Sequence, residues 1–461
     1  MLEEELKFDV DEDFVLPDVD GLTAKGHKKL TATYYDTADL RLARSGATLR
    51  HRVGDELPWT VKLPSGVPGV RHEISSAGLK TRPPADFVWL VASLTRGAPL
   101  RRVAVLRSDR RVFLAGGVEV ADDRVLSGRM AFREIELELV GEGAAARRSL
   151  STLEKAMRRA GAEPSPWPSK LARVLGDRAL RPPDLVAPAE GKQRGTGQEV
   201  VRQAIRRGAQ RILWHDPLVR LGDPLPDGDT PVHQMRVGCR RLRSDLRTFS
   251  EMLDPEWTGS LREELKWIAG LLGAARDAEV LRARLQATAA ADSLAPVDPA
   301  AVAAIDGRLA ERHALALKAL DDGMRTERYV ALVEALTAAT REQPFAGEAF
   351  GVPPDKKLEA KASALTADGP DEAWHRVRIL AKRARYAADA LGHKGRAKRL
   401  AAVQELLGEH QDAAVAAQTW LEFGGDPAVA VTAGRLFERE RARIREIRAA
   451  FPSVWAKLEP S

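Results

Sequence analysis

Cysteine is nearly absent: Cys239 is the only one in 461 residues, which excludes an internal disulfide and a thiolate metal centre. Aromatic residues supply 5% of the chain. They do not interleave with the basic stretches as base-stacking platforms would, so phosphate without bases is favoured over single-stranded nucleic acid. A Walker-type glycine loop is missing, and His27, His51, His72, His215, His313 and His393 show no metal-ligand spacing. No Ser/His/Asp or Cys/His nucleophile arrangement stands out. No apolar run reaches the length needed to cross a bilayer. The acidic start, Met1-Leu-Glu-Glu-Glu-Leu-Lys-Phe8, lacks the basic and apolar regions of a signal peptide, and a cytoplasmic protein is expected.

Charge is plentiful: the formal net value is +6 and 30% of residues are Asp, Glu, Lys or Arg. The excess is spread thinly over both halves, so any polyanion site must come from local sorting. Sorting is evident in the C-terminal half. His233-Gln-Met-Arg236-Val-Gly-Cys-Arg240-Arg241-Leu-Arg243 is followed 142 positions later by His375-Arg-Val-Arg378-Ile-Leu-Ala-Lys382-Arg383-Ala-Arg385. At about 100° per residue, His233, Arg236, Arg240 and Arg243 share one arc of a helix, as do His375, Arg378, Lys382 and Arg385. Val232, Met235, Cys239, Leu242, Leu246 and Phe249 form an apolar stripe beside the first ladder; Trp374, Val377, Ala381, Ala384 and Leu391 do so beside the second. Cations crowded this way repel one another, which a fold tolerates most readily where a polyanion binds. The eight polar positions are therefore polyanion-binding candidates. A second motif, Leu271-Leu-Gly273-Ala-Ala-Arg276-Asp277, recurs as Leu406-Leu-Gly408-Glu-His410-Gln411-Asp412. Two motifs repeated in one order predict an all-α region of two duplicated helical bundles, spanning 197–340 and 341–458.

Residues 1–182 read differently. Short alternating runs at Glu3–Val10, Ala47–Val53, Trp59–Leu63, Val70–Ile74, Val103–Arg111, Val118–Ala121 and Phe132–Val140 predict strands, with a helix over Ala144–Gly161. A Pro/Gly-rich stretch, 183–196, is the expected linker to a helical domain at 197–458. Several strands carry charge at alternate positions: Glu3, Glu5 and Lys7; Arg50 and Arg52; Arg71 and Glu73; Arg107, Asp109 and Arg111; Glu134, Glu136 and Glu138. Simple solvated faces would explain any one of these. Their recurrence also fits a closed antiparallel barrel with a polar, water-filled tunnel. In such a tunnel, glutamates suit hard divalent cations and Arg and Lys suit phosphate oxygens. The predicted fold is thus α+β and multidomain.

Glu3-x-Glu5-x-Lys7 resembles the opening motif of the CYTH family, the triphosphate tunnel metalloenzymes. Tyr34-Tyr-Asp36-Thr37, Leu49-Arg50-His-Arg52, Thr60-Val-Lys62, Arg71-x-Glu73, Glu134-x-Glu136-x-Glu138 and Ser169-Lys170 follow in that family's order. The helical half resembles the CHAD domain, associated with polyphosphate, which implies polyphosphate binding by the two ladders, His233, Arg236, Arg240 and Arg243 with His375, Arg378, Lys382 and Arg385; the pairing resembles bacterial inorganic triphosphatases. The resemblance implies Mg²⁺ or Mn²⁺ held by Glu3, Glu5, Glu134, Glu136 and Glu138. It implies a triphosphate clamped by Lys7, Arg50, Arg52, Lys62, Arg71, Arg107, Arg111 and Lys170, with Glu3, Glu5, Lys7 and Lys62 in the catalytic set. The expected ligands are inorganic tripolyphosphate and polyphosphate. Open alternatives are a non-catalytic polyphosphate binder and a tunnel acting on nucleoside or thiamine triphosphate.

Overall fold

A computed structural model describes residues 2–189, 197–225, 228–291, 293–347 and 356–458. The chain divides into two compact units between Asp184 and Leu185.

The first unit contains strands β1 (Leu2–Val10), β2 (Thr23–Asp36), β3 (Thr48–Val53), β4 (Trp59–Pro64), β5 (Val70–Ser76), β6 (Arg101–Ala115), β7 (Val118–Ser127), β8 (Met130–Leu139) and β9 (Glu163–Pro164). Its helices are α1 (Arg41–Arg44), α2 (Ala85–Leu90), α3 (Ala92–Thr95), α4 (Gly143–Arg159), α5 (Lys170–Leu175) and α6 (Asp177–Leu180). The strands run β5-β4-β3-β2-β6-β7-β8-β1, all antiparallel, and β1 returns to pair with β5. That last pairing closes an eight-stranded barrel; β9 adds two residues alongside β1. β2, fourteen residues long, is absent from the strands expected above. Its first half, Thr-Ala-Lys-Gly-His-Lys-Lys, has no apolar alternation because it is exposed on both faces. Only pairing with the equally long β6 makes it a strand.

The barrel is polar inside and apolar outside. On β8, Ile135 and Leu137 are fully buried against Leu150, Leu153 and Met157 of α4. The alternate residues Glu134, Glu136 and Glu138 consequently turn to the interior. At one level of the interior Ala32, Leu106, Val125 and Phe132 meet Leu171 of α5 in an apolar plug. Ser169 caps α5, its Oγ accepting from the Ala172 N–H at 3.0 Å.

The second unit is helical: α7 (Gly197–Leu221), α8 (Pro231–Thr248), α9 (Pro255–Ala290), α10 (Pro299–Met324), α11 (Glu327–Ala339), α12 (Lys356–Ser363), α13 (Asp371–Ala390), α14 (Lys394–Phe423) and α15 (Ala430–Trp455). One core joins α7, α8, α11 and the first half of α9. Another joins α12, α13 and the first half of α14. The far halves of α9 and α14 meet α10 and α15 in a third core between them. The ladder helices are α8 and α13, and Val232, Met235, Cys239, Leu242, Leu246, Trp374, Val377 and Ala381 are all buried. α8 starts at the Thr230 cap, whose Oγ1 accepts from the His233 N–H, with Pro231 in the first turn.

The expected linker is anchored where it is described. Asp184 binds Arg44 at 2.7 Å in the barrel unit. The Val186 N–H reaches Thr340 Oγ1 at 3.1 Å and the Ala189 N–H reaches Gln203 Oε1 at 2.7 Å in the helical unit. Residues 190–196 of that stretch lie outside the described residues.

Candidate functional site: a charged tunnel and a cationic helix pair

The barrel interior holds a cavity of about 240 Å³. Glu3, Glu5 and Lys7 line it from β1, Arg50 and Arg52 from β3, and Lys62 from β4. Arg71 and Glu73 enter from β5, Glu136 and Glu138 from β8, and Ser169 and Lys170 from the start of α5. Residues far apart in sequence meet because each sits on the inward parity of its own strand.

Strand register aligns three carboxylates in a row. Glu5 on β1 is directly opposite Glu138 on β8, and Glu138 is directly opposite Glu119 on β7. Like charges facing each other across strands are unfavourable. Burial and neighbouring Glu3 push the Glu138 carboxyl up to about 7. Among the described residues Glu138 has no ion-pair partner. Its neighbours do: Lys62 reaches Glu3 at 2.5 Å and Glu73 at 3.0 Å, and Lys7 reaches Glu5 at 2.6 Å. Lys170 bridges Glu136 at 2.5 Å, Glu134 at 2.9 Å and Asp123 at 3.1 Å. Burial disfavours a charged Glu136, but Lys170, Arg110 and Lys7 outweigh it and hold the group well below the usual carboxylate range. Those same carboxylates keep the Lys170 ammonium charged despite its burial.

Three expected tunnel residues fall elsewhere. Arg107 and Arg111 are exposed, because the even-numbered residues of β6 face inward. Arg110 takes their place, binding Asp123 at 2.6 Å and Glu136 at 2.8 Å. A one-residue offset flips every side chain to the other face, and charges on both faces of β6 conceal the parity in sequence. Glu134 is fully buried against Lys170 and does not line the cavity. Arg110 and Glu119 were missed; the pairing of β6 and β7 is what reveals them.

In the helical unit the two ladders meet. Arg236 and Arg240 of α8 lie close enough to Arg378 and Lys382 of α13 for the first ladder to perturb the second. They form one composite cluster. The Nε groups of Arg240, Arg243 and Arg378 are buried without a hydrogen-bond partner. Arg236 binds Asp277 at 2.8 Å, and the His375 ring bonds Gln411. His233 is half-buried 4.0 Å from Asp229. The last rungs have other neighbours: Arg385 reaches Gln404 at 3.1 Å, and Arg243 lies beside Arg262 of α9, a cation outside both ladders.

A CYTH domain matches residues 1–161 and a CHAD domain matches residues 203–421. Uncharacterized proteins from two strains of Mycobacterium tuberculosis, CDC 1551 and H37Rv, are each 32% identical over 517 aligned positions. Each alignment covers 99% of this chain and 96% of the relative.

The chain belongs to the CYTH–CHAD family.

Solved structures similar to the CYTH–CHAD protein include PptA from Streptomyces chartreusis, at 23% identity and a TM-score of 0.49, covering 57% of this chain and 100% of that one. The CHAD domain from Ricinus communis is 24% identical with a TM-score of 0.46, covering 59% and 98%. A putative adenylate cyclase from Bacillus halodurans is 15% identical with a TM-score of 0.30, covering 38% and 99%. Among its described residues the CYTH–CHAD protein has no ready-made cage of three or more metal-ligating His, Cys, Asp or Glu side chains. Lys7, Lys62 and Lys170 draw the tunnel carboxylates to themselves. No helix among those residues is long and apolar enough to cross a membrane.

Proposed function

We propose that the barrel hydrolyses inorganic tripolyphosphate with a divalent cation and that the helix pair binds longer polyphosphate. The row Glu5–Glu138–Glu119 beside seven inward-facing cations carries the reading. A tunnel that only bound anions would gain nothing from facing carboxylates. An unpaired, half-neutralised Glu138 within such a row is relieved by a divalent cation, so the donor set fits Mg²⁺ or Mn²⁺. Glu3, Glu5, Glu136 and Glu138 would hold it. Such a cation, when bound, neutralises phosphate charge and acidifies water.

The remaining groups position the substrate. Arg50, Arg52, Lys62 and Arg71 approach from β3, β4 and β5, Arg110 from β6 and Lys170 from the start of α5. Guanidinium forks fix the phosphate oxygens, and Lys7 and Lys170 offset charge that builds on the transferring phosphoryl group. Among the described residues Tyr34 is the only aromatic one in the lining, which offers little for a nucleobase and favours inorganic tripolyphosphate over a nucleotide.

The test is phosphate release from tripolyphosphate, ATP and long-chain polyphosphate, each with Mg²⁺, Mn²⁺ or EDTA. Metal-dependent release from tripolyphosphate above ATP is expected, and Glu5→Ala with Glu136→Ala should abolish it. Faster release from ATP would assign the tunnel to nucleotides. No release from any substrate, with long polyphosphate still bound, would leave a binding protein.

A further inference from the structure

Two carboxylates of the barrel, Asp123 and Glu134, are fully buried, face each other in register on β7 and β8, and stay outside the tunnel cavity. Neither takes part in the proposed hydrolysis. Asp123 also lies opposite Arg110 of β6. Its Oδ1 accepts from Arg110 Nε at 2.8 Å, its Oδ2 accepts from Arg110 Nη2 at 2.6 Å, and Lys170 Nζ stands 3.1 Å from the same Oδ2. Among the described residues Glu134 forms an ion pair with Lys170 only, at 2.9 Å. Burial would neutralise an isolated Asp123; Lys170 and Arg110 overcome it and hold the carboxyl below the ordinary carboxylate range.

Two cations that line the cavity, on elements far apart in sequence, thus share one acid that lies outside it. A guanidinium carries its five N–H donors in one fixed plane. With Nε and Nη2 turned to Asp123, the Nη1 side of Arg110 is the side left to meet a phosphate oxygen. The other acid shared by both cations is Glu136, 2.8 Å from Arg110 and 2.5 Å from Lys170. Glu136 lines the cavity and belongs to the set that would hold the divalent cation. Whenever Glu136 serves that cation, Asp123 is the acid that still holds both Arg110 and Lys170. We propose that Asp123 is a positioning residue that aims Arg110 and Lys170 at the substrate. The fold has other anchors at these points. Leu171 sits in the apolar plug, Arg173 binds Asp9 at 2.7 Å, and β6 is paired along both edges. A neutral Asp123 therefore loosens two side chains and leaves the barrel in place. This inference rests on the reading of the tunnel as a tripolyphosphate site.

The experiment uses the full chain and measures tripolyphosphate affinity in EDTA by calorimetry, then kcat and KM with Mg²⁺. Asp123→Asn should weaken the affinity about tenfold and lower kcat/KM about a hundredfold, the scale of an ångström-sized misplacement. With Arg110→Gln and Lys170→Gln already in place, the same substitution should change either quantity by less than about twofold, because both of its targets are gone. Equal losses in the two backgrounds, or no loss in either, overturn the positioning role. If Asp123→Asn does not fold, Arg110→Lys takes its place: it keeps the charges balanced but gives Asp123 no fork to hold. The same loss of affinity is expected there, and unchanged affinity overturns the role. A wild type that binds tripolyphosphate in EDTA but releases no phosphate with Mg²⁺ would fail the proposed hydrolysis, and the affinities alone would then decide for or against Asp123.

Discussion

Glu138 and Lys382 show what burial does to a charge whose neighbours share its sign: one carboxyl rises to about 7 and one ammonium falls to about 7. His410 shows a third outcome. It is 1% exposed, stacks on Trp374 at 5.3 Å, and accepts a hydrogen bond at Nε2 from Arg448 Nε at 3.1 Å. The donor requires an unprotonated Nε2, and burial, then Arg448, lower the ring to about 4. The folded state thus binds fewer protons here than the unfolded chain, whose value is near 6.5. The stabilisation is complete above that value and is lost as pH falls toward 4. We expect stability to drop by up to about 3 kcal/mol between pH 7 and pH 4 from this group. Urea midpoints measured across that range should show the slope, and His410→Gln, which keeps an acceptor, should flatten it. Nothing in the sequence around Leu406-Leu-Gly408 marked His410 for this role, because its partners come from α13 and α15.

At the level of elements, α7 and α8 cross at two glycines. A Cβ on Gly238 would stand 2.9 Å from Ile212 Cγ1 and 3.2 Å from the Ile212 backbone nitrogen; on Gly208 it would stand 2.8 Å from Leu242 Cβ. Gly238→Val should cost about 1–3 kcal/mol by overpacking, read from denaturant midpoints. It should also weaken polyphosphate binding, because it displaces the helix that presents Arg236 and Arg240. Charge reversal tests the cluster directly: Arg240→Glu with Lys382→Glu should lower affinity for long polyphosphate at least tenfold at about 0.1 M salt and flatten its salt dependence. Unchanged affinity would rule the cluster out. The ladder helices were readable because 3.6-residue periodicity records which face is buried. β2 was not, since half of it is exposed on both faces and only its partner defines it.

For the whole molecule, the division into two units predicts that the two proposed activities are separable. EDTA should abolish phosphate release from tripolyphosphate and leave polyphosphate binding by the full chain unchanged, as shown by retention of long-chain polyphosphate in a filter assay. Loss of both together would mean that the helix pair also needs metal.

Periodicity, motif order and duplication already determined the barrel followed by helical bundles, the inward Glu3, Glu5, Arg50, Arg52, Lys62, Glu136 and Glu138, and both ladders. These features are local: alternation and helical spacing record which side of an element meets the core. The tertiary structure alone decided that Arg110 replaces Arg107 and Arg111, that Glu134 lies beneath Lys170, and that Glu119 joins Glu5 and Glu138. It alone brought two ladders into one cluster around Lys382. Those facts depend on strand register and helix crossing, where a shift of one residue or one turn changes every neighbour while leaving the pattern along the chain intact.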